Sequence, residues 1–309
     1  MTARLRQGFG GQAWSPVCVC RCGRPLLQER WRCVACGWSY DSGDGVLRWL
    51  NDAGRATLEP FVSQYRAIRE HDGYRQASAE YYRALPDVPA GDPQFVVWQV
   101  RRESFDRLRK LLLSRFRSGA PTVLDLGAGN GWLSSRLAEA GCRPVAVDLL
   151  DDERDGLGAC RHYGVSFPRV QADFDDLPFA PRQFDAVIFN GSLHYAPDVE
   201  ATLAGAGTLL APGGVIAVVD SPAFMCEAEG ESMCARNRER FRREYGVASP
   251  EQPGEGYVTL PRLDAGAVAL GLEPHFFESR GPLRWAAGRV LTRVRHRLVP
   301  PRFGVWMAA

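Results

Sequence analysis

Lysine is all but missing from this chain: Lys110 is the only one among 38 basic side chains, so arginine carries almost all the positive charge. That bias points to genomic base composition rather than to a binding chemistry. Apolar runs are also short. None approaches the roughly 18–20 residues that a helix needs to cross a bilayer, which excludes a spanning helix. The opening stretch MTARLRQGFGGQAWSP holds neither an apolar signal core nor a cleavage-like site, so residues 1–16 are expected to be a disordered leader and the protein cytoplasmic. Internal repeats are absent, and so are an RNP-like aromatic motif and a dense basic cluster, which weighs against an RNA-binding module.

What is present is unevenly spread. The formal net charge of +2 hides an acidic middle between basic flanks. Residues 120–278 carry 12 basic against 24 acidic side chains, while residues 279–309 carry 7 against none. A basic flank attracts RNA, anionic lipid or a phosphorylated small molecule, although a solvated surface is the commoner outcome. Of nine cysteines, Cys18, Cys20, Cys22, Cys33 and Cys36 crowd into one short segment. In a reducing compartment such clustering suggests a metal rather than disulfides.

Residues 17–50 read as the cysteine module, with Trp31, Trp38, Tyr40 and Trp49 as its small core. Residues 51–118 read as a helical linker or cap broken around Pro86, Pro89 and Pro93. Within it Phe95, Trp98, Phe105, Leu108 and Leu112 share one helical face. From Thr122 onward short Val/Ile-rich strands alternate with helices, the pattern of a parallel sheet covered on both faces. The expected strands are Thr122–Leu126, Arg143–Asp148, Phe167–Gln171, Phe184–Asn190 and Gly214–Asp220. The expected helices lie at Trp132–Ala140, Asp152–Tyr163 and Asp198–Leu210. A polar helix at residues 224–246 is read as an insert after the fifth strand, well placed to cover a substrate. The chain then closes with a helix, a strand, a basic helix at 281–302, and a last strand at Phe303–Met307. That basic helix is expected to pack its apolar stripe against the sheet edge, with a membrane surface as the alternative.

The strongest signal is Val123-Leu-Asp-Leu-Gly-Ala-Gly-Asn-Gly-Trp132, in which a strand runs into Gly127, Gly129 and Gly131 before a helix. Glycines there let a ligand lie against the backbone and meet the free N–H groups that open the helix. A dinucleotide fold wants G-x-G-x-x-G, whereas here Trp132 stands at the third-glycine position, which disfavours an NAD-dependent oxidoreductase. Asp125 adds a carboxylate that suits a cationic ligand better than a pyrophosphate, and the amino acid half of S-adenosylmethionine is cationic. Asp148 ends the second strand, where a carboxylate accepts from both ribose hydroxyls. Asp173 is placed to accept from an adenine amino group, and Phe174 to pack on the ring. All these ends fall on the carboxyl edge of the sheet, where open α/β sheets bind ligands.

The stretch from Thr122 to Asp220 resembles the class I S-adenosylmethionine-dependent methyltransferases, especially the type-11 group that includes quinone-biosynthesis enzymes. VLDLGAGNGWLS, VAVDLL, VQADFDDLPFAPRQFDAVIFNGSLHYAPD and LLAPGGVIAVVDSP carry the resemblance. It implies a Rossmann-like α/β fold with a seven-stranded, mostly parallel sheet, and a methyltransferase domain over residues 119–309. It also implies cofactor contacts at Asp125, Gly127, Ala128, Gly129, Asp148, Leu149, Asp173 and Phe174, with Asn190 beside the methyl group.

Cys22-Gly23 and Cys33-x-x-Cys36-Gly37 look like the two knuckles of a zinc ribbon. A structural zinc takes four thiolates in a tetrahedron. Residue 19 is Val, so the first knuckle departs from C-x-x-C. The expected set is Cys20, Cys22, Cys33 and Cys36, with Cys18 as the alternate. A ribbon ahead of a methyltransferase is also the order in bacterial ribosomal RNA guanine-N1 methyltransferases, which keeps RNA as an alternative acceptor to a small-molecule or lipid-linked one. A non-catalytic binding protein is a third reading, opposed by the intact motif residues.

Methyl transfer from a sulfonium needs alignment more than acid–base chemistry, but a protic acceptor gains from a base. His194, after the fourth strand, is the candidate base, with pocket lining as its bland alternative. Tyr65, Tyr74, Tyr81 and Tyr82 stand as a lid over the cofactor or as packing for the cap. Asn190-Gly-Ser-Leu departs from the N-P-P-[YF] loop, which makes N6-adenine methylation a poor fit.

Overall fold

The computed structural model describes residues 14–27, 31–117, 119–246 and 252–309. Of the expected leader, residues 1–13 lie outside the described residues, while Trp14 packs edge-on against Phe184, 6.1 Å between ring centroids.

The main sheet is built on five buried parallel strands whose apolar residues face helices on both sides. These are β4 (Thr122–Leu126), β5 (Arg143–Asp148), β6 (Arg169–Gln171), β7 (Phe184–Asn190) and β8 (Leu210–Val219). Beyond β8 lie β12 (Gly304–Ala308) and β11 (Pro274–Glu278), each antiparallel to its neighbour. At the opposite edge β3 (Val46–Arg48) pairs in parallel with β6. The order is β11-β12-β8-β7-β4-β5-β6-β3, eight strands where seven were expected. The extra strand comes from the cysteine segment: the three-residue stretch Val-Leu-Arg satisfies the open N–H and C=O groups of β6, which would otherwise be a bare edge. Two small ladders complete the strands. In the cysteine segment β1 (Leu26–Leu27) pairs antiparallel with β2 (Arg32–Cys33), and β9 (Ala223–Phe224) pairs in parallel with β10 (Val258–Thr259).

Eight α-helices surround this frame among the described residues. α1 (Asp52–His71) starts at Asn51, whose side chain accepts from Gly54 N at 2.8 Å. Such a cap is worth about 1 kcal/mol. α2 (Ala79–Ala84) and α3 (Phe95–Arg115) follow, and α3 buries Trp98, Phe105, Leu108 and Leu112, the face expected from their spacing. α4 (Trp132–Glu139) opens directly after the glycine loop. α5 (Val199–Leu209) is capped by Asp198, which accepts from Glu200 N and Ala201 N. α6 (Glu227–Tyr245) is the polar insert, and α7 (Leu260–Ala269) and α8 (Leu283–His296) flank β11.

Two expectations change. Between β5 and β6 there is no α-helix but a short 3-10 stretch, Leu157–His162. Gly156 and Gly158 bring this segment so close to Leu150–Asp152 that a Cβ on either would lie under 3.0 Å from that backbone. A regular helix with side chains does not fit against the loop there. Helix α8 buries none of its residues, and Leu283, Val290, Leu291 and Val294 stay exposed. Its inward contacts run instead through Trp285 against Phe303 and through Arg289, which donates to the Pro301 carbonyl.

The cysteine segment shares one core with the sheet. Cys18, Leu26, Trp31, Tyr40, Leu47 and Trp49 are buried together with Val145, Val170 and Phe179. Val19 N donates to Pro178 O, Trp49 N to Gln171 O, and Trp49 Nε1 to Asp176. No helix among the described residues is long and apolar enough to cross a membrane.

Candidate active site and metal centre

The carboxyl ends of β4, β5, β6 and β7 converge on a cleft. Gly127, Ala128 and Gly129 line its floor, with Asp148 and Leu149 on one side and Phe174, Asn190 and Gly191 on the other. The glycine loop can take this path because Gly127 sits at φ +78°, where a Cβ would strike Ser192 at 2.2 Å. Gly131, at φ +75°, is the N-cap of α4, and its missing Cβ leaves room for the Cys160 thiol. Trp132 then turns inward, edge-on to Trp98 and Phe105. This aromatic wedge fills the place where a dinucleotide fold keeps a third glycine.

Asp148 is held by two backbone donors, Gly129 N at 2.7 Å and Leu150 N at 2.8 Å. Burial pushes its carboxyl up to about 6, and the two N–H bonds oppose that rise. It remains an acceptor at neutral pH, placed for vicinal hydroxyls. Phe174 stands edge-on to Phe189 with its other surface on the cleft. An apolar ring, a carboxylate and a glycine cradle suit a nucleoside with a charged tail.

Three of the sequence-derived candidates stand elsewhere. Asp125 is fully buried, and its Oδ2 accepts from Ser134 Oγ of α4 at 2.7 Å, so the carboxylate points into the strand–helix seam rather than the cleft. Burial raises it to about 7. Asp173 caps its own turn, accepting from Asp175 N at 3.0 Å, and leaves the cleft wall to Ala172 and Phe174. His194 faces a second cavity.

That second cavity, about 600 Å³, lies between α1, α6 and the loops after β7 and β8. Phe61, Tyr65, Arg69, Arg101, Gly191 and Tyr195 border both spaces, so the two share a wall. Phe61, Tyr65 and Tyr195 form an aromatic cluster with centroids 5.5–6.0 Å apart. Arg69 fixes the cap: its guanidinium forks onto Asp155 at 2.7 and 2.9 Å and lies 3.8 Å over the Tyr74 ring. Of the four tyrosines named for the cap, Tyr65 and Tyr74 line this cavity, whereas Tyr82 stacks on His162 and donates to the Arg154 carbonyl. Neither Arg69 nor Arg101 was singled out from sequence, since arginine is too common here to stand out. The spacing of Arg69 to Tyr65 and Tyr74 was the only available signal.

In the cysteine segment the sulfurs of Cys20, Cys22, Cys33 and Cys36 lie within 4.8 Å of one another. Cys20 and Cys36 are 3.6 Å apart, and Cys22 and Cys33 3.5 Å. Four thiolates around one zinc at about 2.3 Å sit roughly 3.7 Å apart, so the donor set and its spacing fit such an ion. Cys18 is outside the group and buried beside Phe179.

Residues 124–218 match the family model described as "Methyltransferase domain". Among curated relatives, a fatty-acid O-methyltransferase of Mycolicibacterium smegmatis is 37% identical over 101 residues, covering 32% of this chain and 36% of that protein. A malonyl-[acyl-carrier protein] O-methyltransferase of Chlorobium luteolum is 35% identical over 97 residues, covering 30% and 37%. A demethylmenaquinone methyltransferase of Corynebacterium urealyticum is 37% identical over 120 residues, covering 37% and 49%. The chain thus spans between about a third and half the length of these relatives. A solved magnesium protoporphyrin IX methyltransferase of Synechocystis overlaps 79% of the chain and 98% of its own, at 14% identity and TM-score 0.49. Residues 124–218 thus match a methyltransferase domain and lie within a Rossmann-like, mostly parallel sheet.

Proposed function

We propose that this protein transfers a methyl group from S-adenosylmethionine to an oxygen or carbon of a small-molecule or lipid-linked acceptor. The observation that carries the reading is the pair of cavities with a common wall. A cradle for a nucleoside with a charged tail opens, past Gly191 and Tyr195, onto a larger space lined by aromatic and charged groups. The matched relatives support this acceptor class, since their names refer to a fatty acid, a malonyl-[acyl-carrier protein] and demethylmenaquinone.

In this reading Asp148 holds the ribose, Phe174 and Leu149 pack the adenine, and the bare glycine backbone at Gly127–Gly129 lets the amino acid tail lie close. When bound, the cofactor supplies an electrophilic methyl on a sulfonium. The contribution of the chain is alignment: the cradle fixes one reactant and the second cavity orients the other, which converts a bimolecular displacement into an effectively unimolecular one. Phe61, Tyr65 and Tyr195 exclude water at the junction. The cysteine tetrad, loaded with zinc, would have no open ligand position and so a structural role only.

The test supplies methyl-labelled S-adenosylmethionine, the purified protein and a host extract divided into RNA, protein, lipid and small-molecule fractions. Label in the lipid or small-molecule fraction is expected. Label confined to RNA would overturn the acceptor class.

A further inference from the structure

The residue that follows β8 has a set of features that the cofactor cradle does not use. Asp220 follows β8 with its backbone at φ +50°, a region that non-glycine residues enter rarely and at some cost. Such conformations persist where the surroundings hold them, often at functional sites. Here the clamp is visible. Asp220 N donates to Gly304 O, and Asp220 Oδ1 accepts from Ser104 Oγ of α3 at 2.6 Å. Ser104 in turn is 2.8 Å from Ser279 Oγ. The other oxygen, Oδ2, is buried with no hydrogen-bond partner. A buried carboxylate oxygen left unpaired costs about 1–3 kcal/mol, so its retention calls for an account.

Its position supplies one. Asp220 lines the second cavity, and its main chain runs next to the junction with the cofactor cleft: Gly191, which borders both, would bring a Cβ within 3.9 Å of the Asp220 backbone carbonyl oxygen. The charges acting on it are those of Arg101 and Glu103 of α3, and the same cavity is lined by His194 and Tyr195 after β7 and by Arg238 and Glu255. Resting on the methyltransferase reading, we propose that Asp220 Oδ2 is the proton acceptor for a hydroxyl-bearing acceptor, and that the second cavity selects alcohols or phenols on that account. As the acceptor oxygen bonds the methyl carbon, the carbon–sulfur bond breaks with its electron pair left on sulfur. The hydroxyl proton passes to Asp220 Oδ2, so the step leaves a methyl ether, a neutral thioether and a protonated carboxyl.

The protonation levels run in the same direction. Burial pushes the Asp220 carboxyl up to about 7, with the Ser104 bond and the Arg101 charge opposing the rise. Burial and then Arg101 push His194 down to about 4, and its Nδ1 is 3.3 Å from Ser221 Oγ. The carboxyl is therefore the group that exchanges a proton near neutrality, which reverses the assignment drawn from sequence, where His194 was the base. General-base catalysis is most effective when the group titrates near the working pH.

Two measurements decide it. Infrared difference spectra between wild type and Asp220→Asn, both saturated with S-adenosylhomocysteine, follow the carboxyl itself. Its protonated C=O band is expected to vanish as pH rises through about 7, and a band already lost below pH ~5, the ordinary carboxylate range, would overturn the proposal. Transfer of labelled methyl to the lipid and small-molecule fractions is then followed from acid to alkaline pH. Asp220→Asn, which keeps the Ser104 partner, is expected to lose about 100-fold or more in rate, the usual worth of a general base. Its S-adenosylhomocysteine affinity should stay unchanged, and Asp220→Glu should recover part of the rate. His194→Gln should keep the acidic limb of the pH profile. An Asp220→Asn rate within about threefold of wild type, or loss of that limb in His194→Gln, would refute the role, since general bases contribute far more. Failure of wild type to bind S-adenosylhomocysteine would instead strike the methyltransferase reading.

Discussion

Individual carboxylates carry the testable chemistry of this fold. In the proposed function Asp148 binds a ribose through its ionised form, and burial has moved its carboxyl up to about 6. Protonation therefore competes with the cofactor at acid pH. Affinity for S-adenosylhomocysteine, measured by calorimetry, is expected to be level at neutral and alkaline pH and to weaken progressively as pH falls through about 6. Asp220 makes the opposite kind of prediction, for stability. A carboxyl whose folded value is raised to about 7 from 3.8 favours the folded state while both forms are protonated, and that stability is lost as pH rises through 7. Asp220→Asn removes the penalty, so the ligand-free variant should melt higher than wild type at pH ~8, where the carboxyl is ionised, with the gap closing at pH ~4. An unchanged difference across that range in thermal scans would contradict the assignment. Both residues end strands, a position that sequence patterning alone picks out. Asp148 was legible because it follows the glycine loop by one strand. Asp220 was not, because its importance comes from Ser104, Ser279 and Gly304, partners far away in the chain.

Between residue and domain, the glycine loop shows how an element is tied to its neighbours. Gly131→Ala would put a methyl 2.4 Å from the Cys160 sulfur at φ +75°. Overpacking with left-handed strain costs about 2–4 kcal/mol, which should lower the melting temperature by roughly 5–15 °C. Gly129→Ala meets nothing nearer than 3.9 Å within the chain. It should melt close to wild type, within about 1–2 kcal/mol for the backbone strain alone, and yet lose cofactor affinity because the methyl enters the cradle. Equal effects on melting from both variants would count against the loop geometry. The alternation of β4, α4, β5, β7, α5 and β8 was readable because each strand is a short apolar run closed by a turn residue. The 3-10 segment at Leu157–His162 was not, since Gly156 and Gly158 matter through a close approach to Leu150–Asp152. β3 escaped for a related reason: three residues carry no period, and only the open edge of β6 makes them a strand.

At the scale of the whole molecule, the cysteine segment and the main sheet share one core. β3 lies beside β6, whose end leads to Ala172 and Phe174 in the cofactor cleft, and Arg21 and Trp49 both reach Asp176. Removing a metal from Cys20, Cys22, Cys33 and Cys36 should therefore be felt at the cleft. Elemental analysis is expected to find about one zinc per chain, the capacity of one four-thiolate site. Stripping it with a chelator should lower the melting temperature and weaken S-adenosylhomocysteine binding together, and a stripped protein with unaltered binding would separate the two regions. The tetrad was legible from clustering except for the choice between Cys18 and Cys20, which the fold makes by grouping the sulfurs of Cys20, Cys22, Cys33 and Cys36. The second cavity was not legible, because its walls come from residues between Phe61 and Gly256 that only the fold brings together. The central claim is that the cleft at the carboxyl ends of β4 to β7 is built for S-adenosylmethionine. Calorimetric titration of wild type and Asp148→Ala with S-adenosylhomocysteine, and with NAD in parallel, tests it most directly. One equivalent of S-adenosylhomocysteine bound by wild type, lost in Asp148→Ala, with no heat from NAD, is the predicted result. Saturable binding of NAD, or undiminished binding of S-adenosylhomocysteine by Asp148→Ala, would contradict it.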